Sequence, residues 1–264
     1  MIANRWPLTR LDGVIERRIL VNFRVDPARL ALLLPPPFAP QTVNGYGMAG
    51  ICLIRLRDVR PSGLPSFGLT SENAAHRIAV QWRADGVAHS GVFITRRDTN
   101  SWLTLAAGGR LFPGAHHRAK FRVEATPSSL ELSVLSDDGL TDIEFSARPA
   151  ECLPSSSVFA SLAEASRFFE VGAIGFSPDN AGDRLQGLQL RTMDWRVTPL
   201  DVAYVHSTFF APGGPMGADA EFDSALLMRN VACHWNACPP PKTDSDRRRR
   251  RTTWGTTRAN SLEP

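Results

Sequence analysis

Ionisable side chains are most concentrated between Glu72 and Lys120, in the stretches ENAAHRIAVQW, GVFITRRDTN and GGRLFPGAHHRAKF. These place Glu72, His76, Arg77, Arg96, Arg97, Asp98, Arg110, His116, His117, Arg118 and Lys120 around two apolar, strand-like runs and a short helical one. Guanidinium groups suit planar, bidentate capture of a carboxylate, and imidazoles move protons near neutral pH. Glu72, His76, Arg77, Arg97 and Arg110 are therefore candidate substrate-binding residues, and His116 and His117 candidate catalytic ones. Lys120 joins the catalytic candidates because the chain has one other lysine, Lys242, so a Schiff base formed before the C-terminal segment must form at Lys120.

Each of these residues also has a plainer role open to it. His116 and His117 can be half-exposed structural residues of a Gly-Ala-His-His loop, and Arg96-Arg97-Asp98 can be an ion-pair cluster joining a strand end to a helix. Alternation along Ala119-Lys120-Phe121-Arg122-Val123 puts Lys120 on a polar face with Arg118 and Arg122. A solvent-facing lysine keeps its ordinary pKa and is a poor nucleophile. The same face would carry a reactive lysine only if it lined a polar lumen.

Other chemistries find no support. There is no glycine-rich dinucleotide fingerprint, phosphate loop, His-Glu-x-x-His or Gly-x-Ser-x-Gly motif. Cys233-His234 with Cys238 is half a zinc site without a second pair, so no metal and no cofactor are expected. The remaining cysteines, Cys52 and Cys152, carry no disulfide pattern.

The elements that must position these residues read as mainly antiparallel. Strand-like runs cover Val14 to Val25, Gly47 to Val59, Lys120 to Ala125, Leu130 to Leu135, Thr141 to Ala147, Leu185 to Val197, Asp201 to Phe210 and Asp223 to Cys233. A hairpin, His76 to Trp82 with Gly91 to Arg96, turns around Ala84-Asp85-Gly86. Asp26 caps a short helix with Pro27 at its first position, ended by Pro35 to Pro37. Thr99 to Leu105 is helical between Asp98 or Thr99 and the pair Gly108-Gly109. Ser156 to Glu170 is the best helix, capped by Ser155, Ser156 or Ser157. About ten strands with two or three helices indicate an α+β or mainly β protein.

Composition sets the frame: 43% of residues are hydrophobic and 21% charged, ordinary for a globular chain with a real core. No apolar run approaches the roughly 20 residues of a membrane-spanning helix. Met1 to Leu11 lacks a secretory signal, so the expected location is the cytoplasm. The segment from Lys242 to Pro264 holds seven basic and three acidic residues, which accounts for the whole net charge of +4. Residues 1–240 read as one neutral domain and 241–264 as a basic, disordered tail. The five-arginine run could touch a polyanion, but a nucleic-acid-binding fold would carry its charge on the folded body, so nucleic acid is not the expected partner.

The ordered set VDPARLALLLPPPF, NGYGMAGICLIRLRDVRPSGLP, AHRIAVQW, GVFITRRDTN, GGRLFPGAHHRAKF, SLAEASRFFEVGAIGFS and AEFDSALLMRNVACHW resembles the YqjF-like proteins of domain-of-unknown-function family 2071, over about residues 10 to 236. That family lies within the acetoacetate decarboxylase-like superfamily. The resemblance implies an α+β, mainly antiparallel cone or barrel with two or three packed helices, an interior pocket and, as in relatives, an oligomer. Acetoacetate decarboxylases end a glycine-rich segment with two lysines, one of which forms the Schiff base. Here Gly109-Arg110 and Gly114 match that segment, while the lysine positions fall on His117 and Arg118. The acidic residue expected on the preceding strand falls near His76 or Arg77, with Glu72 the nearest carboxylate upstream. Neither substitute can form an imine, which argues against decarboxylation by that route and leaves the pocket and its anion preference.

Three functions stay open. The chain can bind a small carboxylate or keto acid and carry out proton-transfer, lyase or hydratase-like chemistry without a lysine Schiff base. It can be a non-catalytic binding or sensing module with the same pocket. It can also act on polyanions through its arginine tail.

Overall fold

Five long runs, each carrying repeated apolar residues, form strands of 13 to 18 residues. The computed structural model describes residues 10–241 apart from 65–67, 85, 107–111, 180 and 183. Arg110, the pair Gly108-Gly109 and the arginine tail therefore lie outside the described residues. In chain order the elements are β1 (Arg10–Val25), α1 (Pro27–Ala31), β2 (Ala39–Pro40), β3 (Thr42–Val43), β4 (Tyr46–Pro61), β5 (Leu69–Ala84), β6 (Val87–Thr99) and α2 (Trp102–Ala106). They continue with β7 (His116–Ala125), β8 (Leu130–Ser136), β9 (Asp142–Pro149), α3 (Leu162–Val171), β10 (Ile174–Pro178), β11 (Leu185–Thr192), β12 (Thr198–Ser207) and β13 (Glu221–Cys238).

The fold is mainly antiparallel, with two parallel pairings, both made by β6. A continuous wall runs β13-β1-β4-β5-β6. At each end of the wall the outer strand forks. Strand β6 pairs with β10 at Val92 and Phe93, then with β7 from Arg97 to Thr99. Strand β13 pairs with β12 from Ala225 to Leu227, then with β11 from Cys233 to Cys238. The chain thus closes two rings on one shared wall. The larger runs through β7, β8, β9 and β12, and the smaller through β10 and β11.

A wall shared by two interiors is buried on both faces, and strand alternation divides its residues between them. Ile19 and Val21, Ile51 and Leu53, and Ile78 and Val80 face the larger ring, packing with Leu132, Val134, Ile143 and Phe145. Ile15, Leu56, Cys233 and Trp235 face the smaller one with Leu188. Helix α3 covers the same side of the wall, setting Phe169 and Ala165 against Leu20, Cys52 and Ala79.

Local signals explain the helices. Asp26 caps α1 by accepting from the Ala28 amide at 2.8 Å, with Pro27 at the start. Helix α3 begins at Leu162 rather than Ser156, and the Ser157 side chain is engaged elsewhere. Ser157 donates to Asp223 at 3.0 Å, and Ser161 takes the cap by accepting from the Glu164 amide. The short helix α2 starts at Trp102, three residues beyond Thr99, with Ser101 accepting from the Thr104 amide.

Candidate functional site

The fork in β6 leaves a gap between strands, and a cavity of about 130 Å³ lies there inside the smaller ring. Its wall is largely apolar, from Ile54 and Leu56 of β4, Val92 and Ile94 of β6, Leu188 and Leu190 of β11, and Trp235. Into it come Arg18 of β1, Arg77 of β5, Arg97 and Asp98 of β6, and His116 at the start of β7, together with Cys52. A bulge makes this possible. Across from β5, His76 pairs with Arg96 but Arg77 pairs with Ile94, so Thr95 is an extra residue and the alternation of β6 reverses. Ile94 and Arg97 thereby face the same hollow.

Arg77 is 4% exposed and carries no carboxylate partner among the described residues. Its Nη2 donates to Asn22 Oδ1, its Cζ lies 4.9 Å from the Phe169 ring centre, and its Nε has no partner. Asn22 is held in turn by donating to Ser224 at 3.4 Å, and Ser224 donates to the buried Asp223 at 2.8 Å. Asp223 also accepts from Ser157 and from the Val158 amide, so the segment leading into α3 is tied to the chain of groups that fixes Arg77. Burial lowers the Arg77 guanidinium to about 10, which leaves it cationic at neutral pH.

Arg97 donates from Nε to Ser177 Oγ at 3.1 Å, and burial likewise lowers it to about 10. Arg18 donates to Cys52 Sγ at 3.4 Å and stacks at 5.6 Å over Trp195, and its buried Nη1 has no partner. Asp98 is the one carboxylate in the lining among the described residues. It is fully buried and already engaged, accepting from Arg96 at 2.9 Å and from Thr141 at 3.0 Å. Burial raises its pKa against the pull of those donors.

His116 Nδ1 lies 3.1 Å from the Gly114 carbonyl, which can only accept. Nδ1 therefore carries the proton, and in the neutral ring Nε2 keeps a lone pair with no protein partner among the described residues. Burial, and then the charge of Arg97, hold this imidazole down at about 3, so it is neutral at physiological pH.

The other sequence candidates divide by face. His76 sits beside Arg77 in sequence but faces the larger ring, 1% exposed, with Nε2 3.1 Å from Ser207 Oγ and its ring stacked on Phe209 at 4.7 Å. Glu72 is on that face as well, held by Arg17 at 2.7 Å and Arg55 at 3.1 Å. His117 is half-exposed and lies 3.3 Å from Asp138, which Arg96 also binds. Lys120 is exposed on β7 and contributes nothing to the cavity, and no lysine lines it among the described residues. Cys233 and Cys238 stand five residues apart along strand β13 as free thiols, and the described residues hold no group of three metal-ligating side chains. Sequence reasoning missed Arg18 and Cys52. Arg18 follows Arg17, and nothing in that pair marks which one faces the hollow, while Cys52 is hidden in an apolar run.

This arrangement of strands defines the protein as acetoacetate decarboxylase-like in fold. The acetoacetate decarboxylase of Legionella pneumophila superposes with a TM-score of 0.59 at 14% identity, covering 92% of this chain and 91% of that one. An acetoacetate decarboxylase-like enzyme from Sphingomonas wittichii RW1 gives 0.55 at 14% identity, covering 89% and 92%. The enduracididine biosynthesis enzyme MppR complexed with pyruvate gives 0.51 at 12% identity, covering 91% of each chain. No curated protein matches the sequence. The chain belongs to the family of uncharacterised conserved proteins called domain of unknown function 2071 (DUF2071), whose model matches residues 14–212.

Proposed function

We propose that the protein binds a small carboxylate or keto acid in the cavity at the β6 fork and acts on it by proton transfer without a lysine Schiff base. One observation carries this reading. Arg18, Arg77 and Arg97 line an apolar hollow with no carboxylate partner among the described residues, and the lining holds no lysine. Arg77 is buried and Arg18 and Arg97 are half-buried; cations withdrawn from water without counter-ions are costly, and an anionic guest removes that cost. The likeness in fold to an enzyme solved with pyruvate fits a guest of that size. In this reading Arg77 holds the carboxylate, and His116 Nε2, beside Arg97, accepts a proton from a carbon next to a carbonyl. The C–H electron pair then passes to the carbonyl oxygen, where a guanidinium meets it. A bound carboxylate also offsets the Arg97 charge that holds the His116 pKa down.

Calorimetric titration with pyruvate tests the binding. The full chain is expected to bind, and Arg77→Gln to weaken binding at least about tenfold, the worth of one charge-assisted pair. Binding unchanged in Arg77→Gln would remove the reading. Incubation with pyruvate and borohydride is expected to leave Lys120 unmodified, and a reduced adduct there would restore an imine mechanism. Deuterium exchange at the pyruvate methyl, lost in His116→Gln, separates a catalyst from a binding module.

A further inference from the structure

Two separate cationic points face the cavity. Arg18 and Arg77 stand at one, where the hollow meets a small recess under Phe168 and Phe169 of α3. Arg97 stands at the other, tied to Ser177 on β10 beside His116 and absent from that recess. Val92 and Ile94 supply apolar wall to the hollow that both points face. Among the described residues the charges of the cavity lining do not balance. Asp98 is matched by Arg96, and Arg96 is shared with Asp138. Arg18, Arg77 and Arg97 are left over, with Arg18 Nη1 and Arg77 Nε buried and unpartnered.

From this surplus and its division we infer that the guest is a dianion with charges at both ends of a short apolar chain, a small dicarboxylate, with Arg18 and Arg77 taking one carboxylate and Arg97 the other. The inference rests on the anion-binding reading above and narrows its ligand class. A single carboxylate would satisfy one point and leave the other uncompensated. A compact dianion such as inorganic phosphate would satisfy one point, leave the other uncompensated and set its charge against the apolar wall of the hollow. Each further guanidinium–carboxylate contact in a site screened from water adds a charge-assisted pair.

The test is calorimetry on the full chain at fixed pH and ionic strength, with succinate against butyrate, glutarate against valerate, and inorganic phosphate as the compact dianion. Each dicarboxylate is expected to bind at least about tenfold tighter than its monocarboxylate partner, and phosphate to bind more weakly than succinate. Arg97→Gln is expected to erase the succinate advantage over butyrate, and Arg97→Lys to keep part of it. Equal affinity for butyrate and succinate would overturn the dianion and leave the anion site standing. Phosphate binding tighter than succinate would overturn it too. If no probe binds, the anion-binding reading falls with it. The wild-type comparison decides the matter even if an Arg97 variant fails to fold.

Discussion

His76 and Arg77 are neighbours in sequence and spend their polar groups in opposite interiors. Arg77 meets a hollow, whereas His76 is packed among Phe209 and Phe210 with its Nδ1 unpartnered. Burial, and then the charge of Arg96, hold the His76 pKa at about 3 against an ordinary 6.5. The sign follows from linkage. The folded value lies below the unfolded one, so the unfolded chain takes up the proton first. The stability that neutral His76 confers is present above about pH 6.5 and is lost as pH falls toward 3. Between pH 6.5 and 5 the loss is about 2 kcal/mol for one such histidine. Urea unfolding at pH 7.5 and pH 5 is expected to show His76→Leu losing about 2 kcal/mol less over that interval than the parent. Equal losses would mean that His76 is accessible to protons in the folded state.

At the scale of elements, the β7–β8–β9 meander, the hairpin of β5 and β6, and the Asp26-capped helix were legible, because turn residues and caps act locally. Gly86 at the hairpin tip takes φ of +82°, the conformation that its Asp-Gly turn signal implies. The start of α3 was not legible, since Asp223, far away in sequence, competes for Ser157. Nor was the Thr95 bulge, which exists only in relation to β5 and decides that Arg97, not Arg96, faces the cavity. The closure of the smaller ring through β11 and β13 depends on a glycine for a steric reason. A Cβ at Gly187 would lie 2.5 Å from Cys238 Sγ and 2.7 Å from its carbonyl oxygen. Gly187→Ala is expected to lower unfolding free energy by about 1–3 kcal/mol, the usual cost of overpacking, and to weaken pyruvate binding because the cavity wall shifts. Full stability in that variant would show that the seam can yield without strain.

At the scale of the whole molecule, one wall serves two interiors that differ in kind. The larger is filled by aliphatic and aromatic groups, and the smaller keeps a hollow with a surplus of positive charge. The sequence located the stretch that supplies this charge but merged the two faces. Period-two alternation in a sheet buried on both sides does not say which interior a residue enters. Cys52 lies in the hollow beside Arg18 and so reports the field there without any assumption about the guest. The direct measurement is alkylation of the native chain by iodoacetate and by iodoacetamide, with Cys52 and the exposed Cys152 quantified by peptide mass spectrometry. The ratio of iodoacetate to iodoacetamide rates is expected to be at least about tenfold higher at Cys52 than at Cys152, because the guanidiniums draw in the anionic reagent. A ratio at Cys52 equal to or below that at Cys152 would contradict an anion-binding cavity.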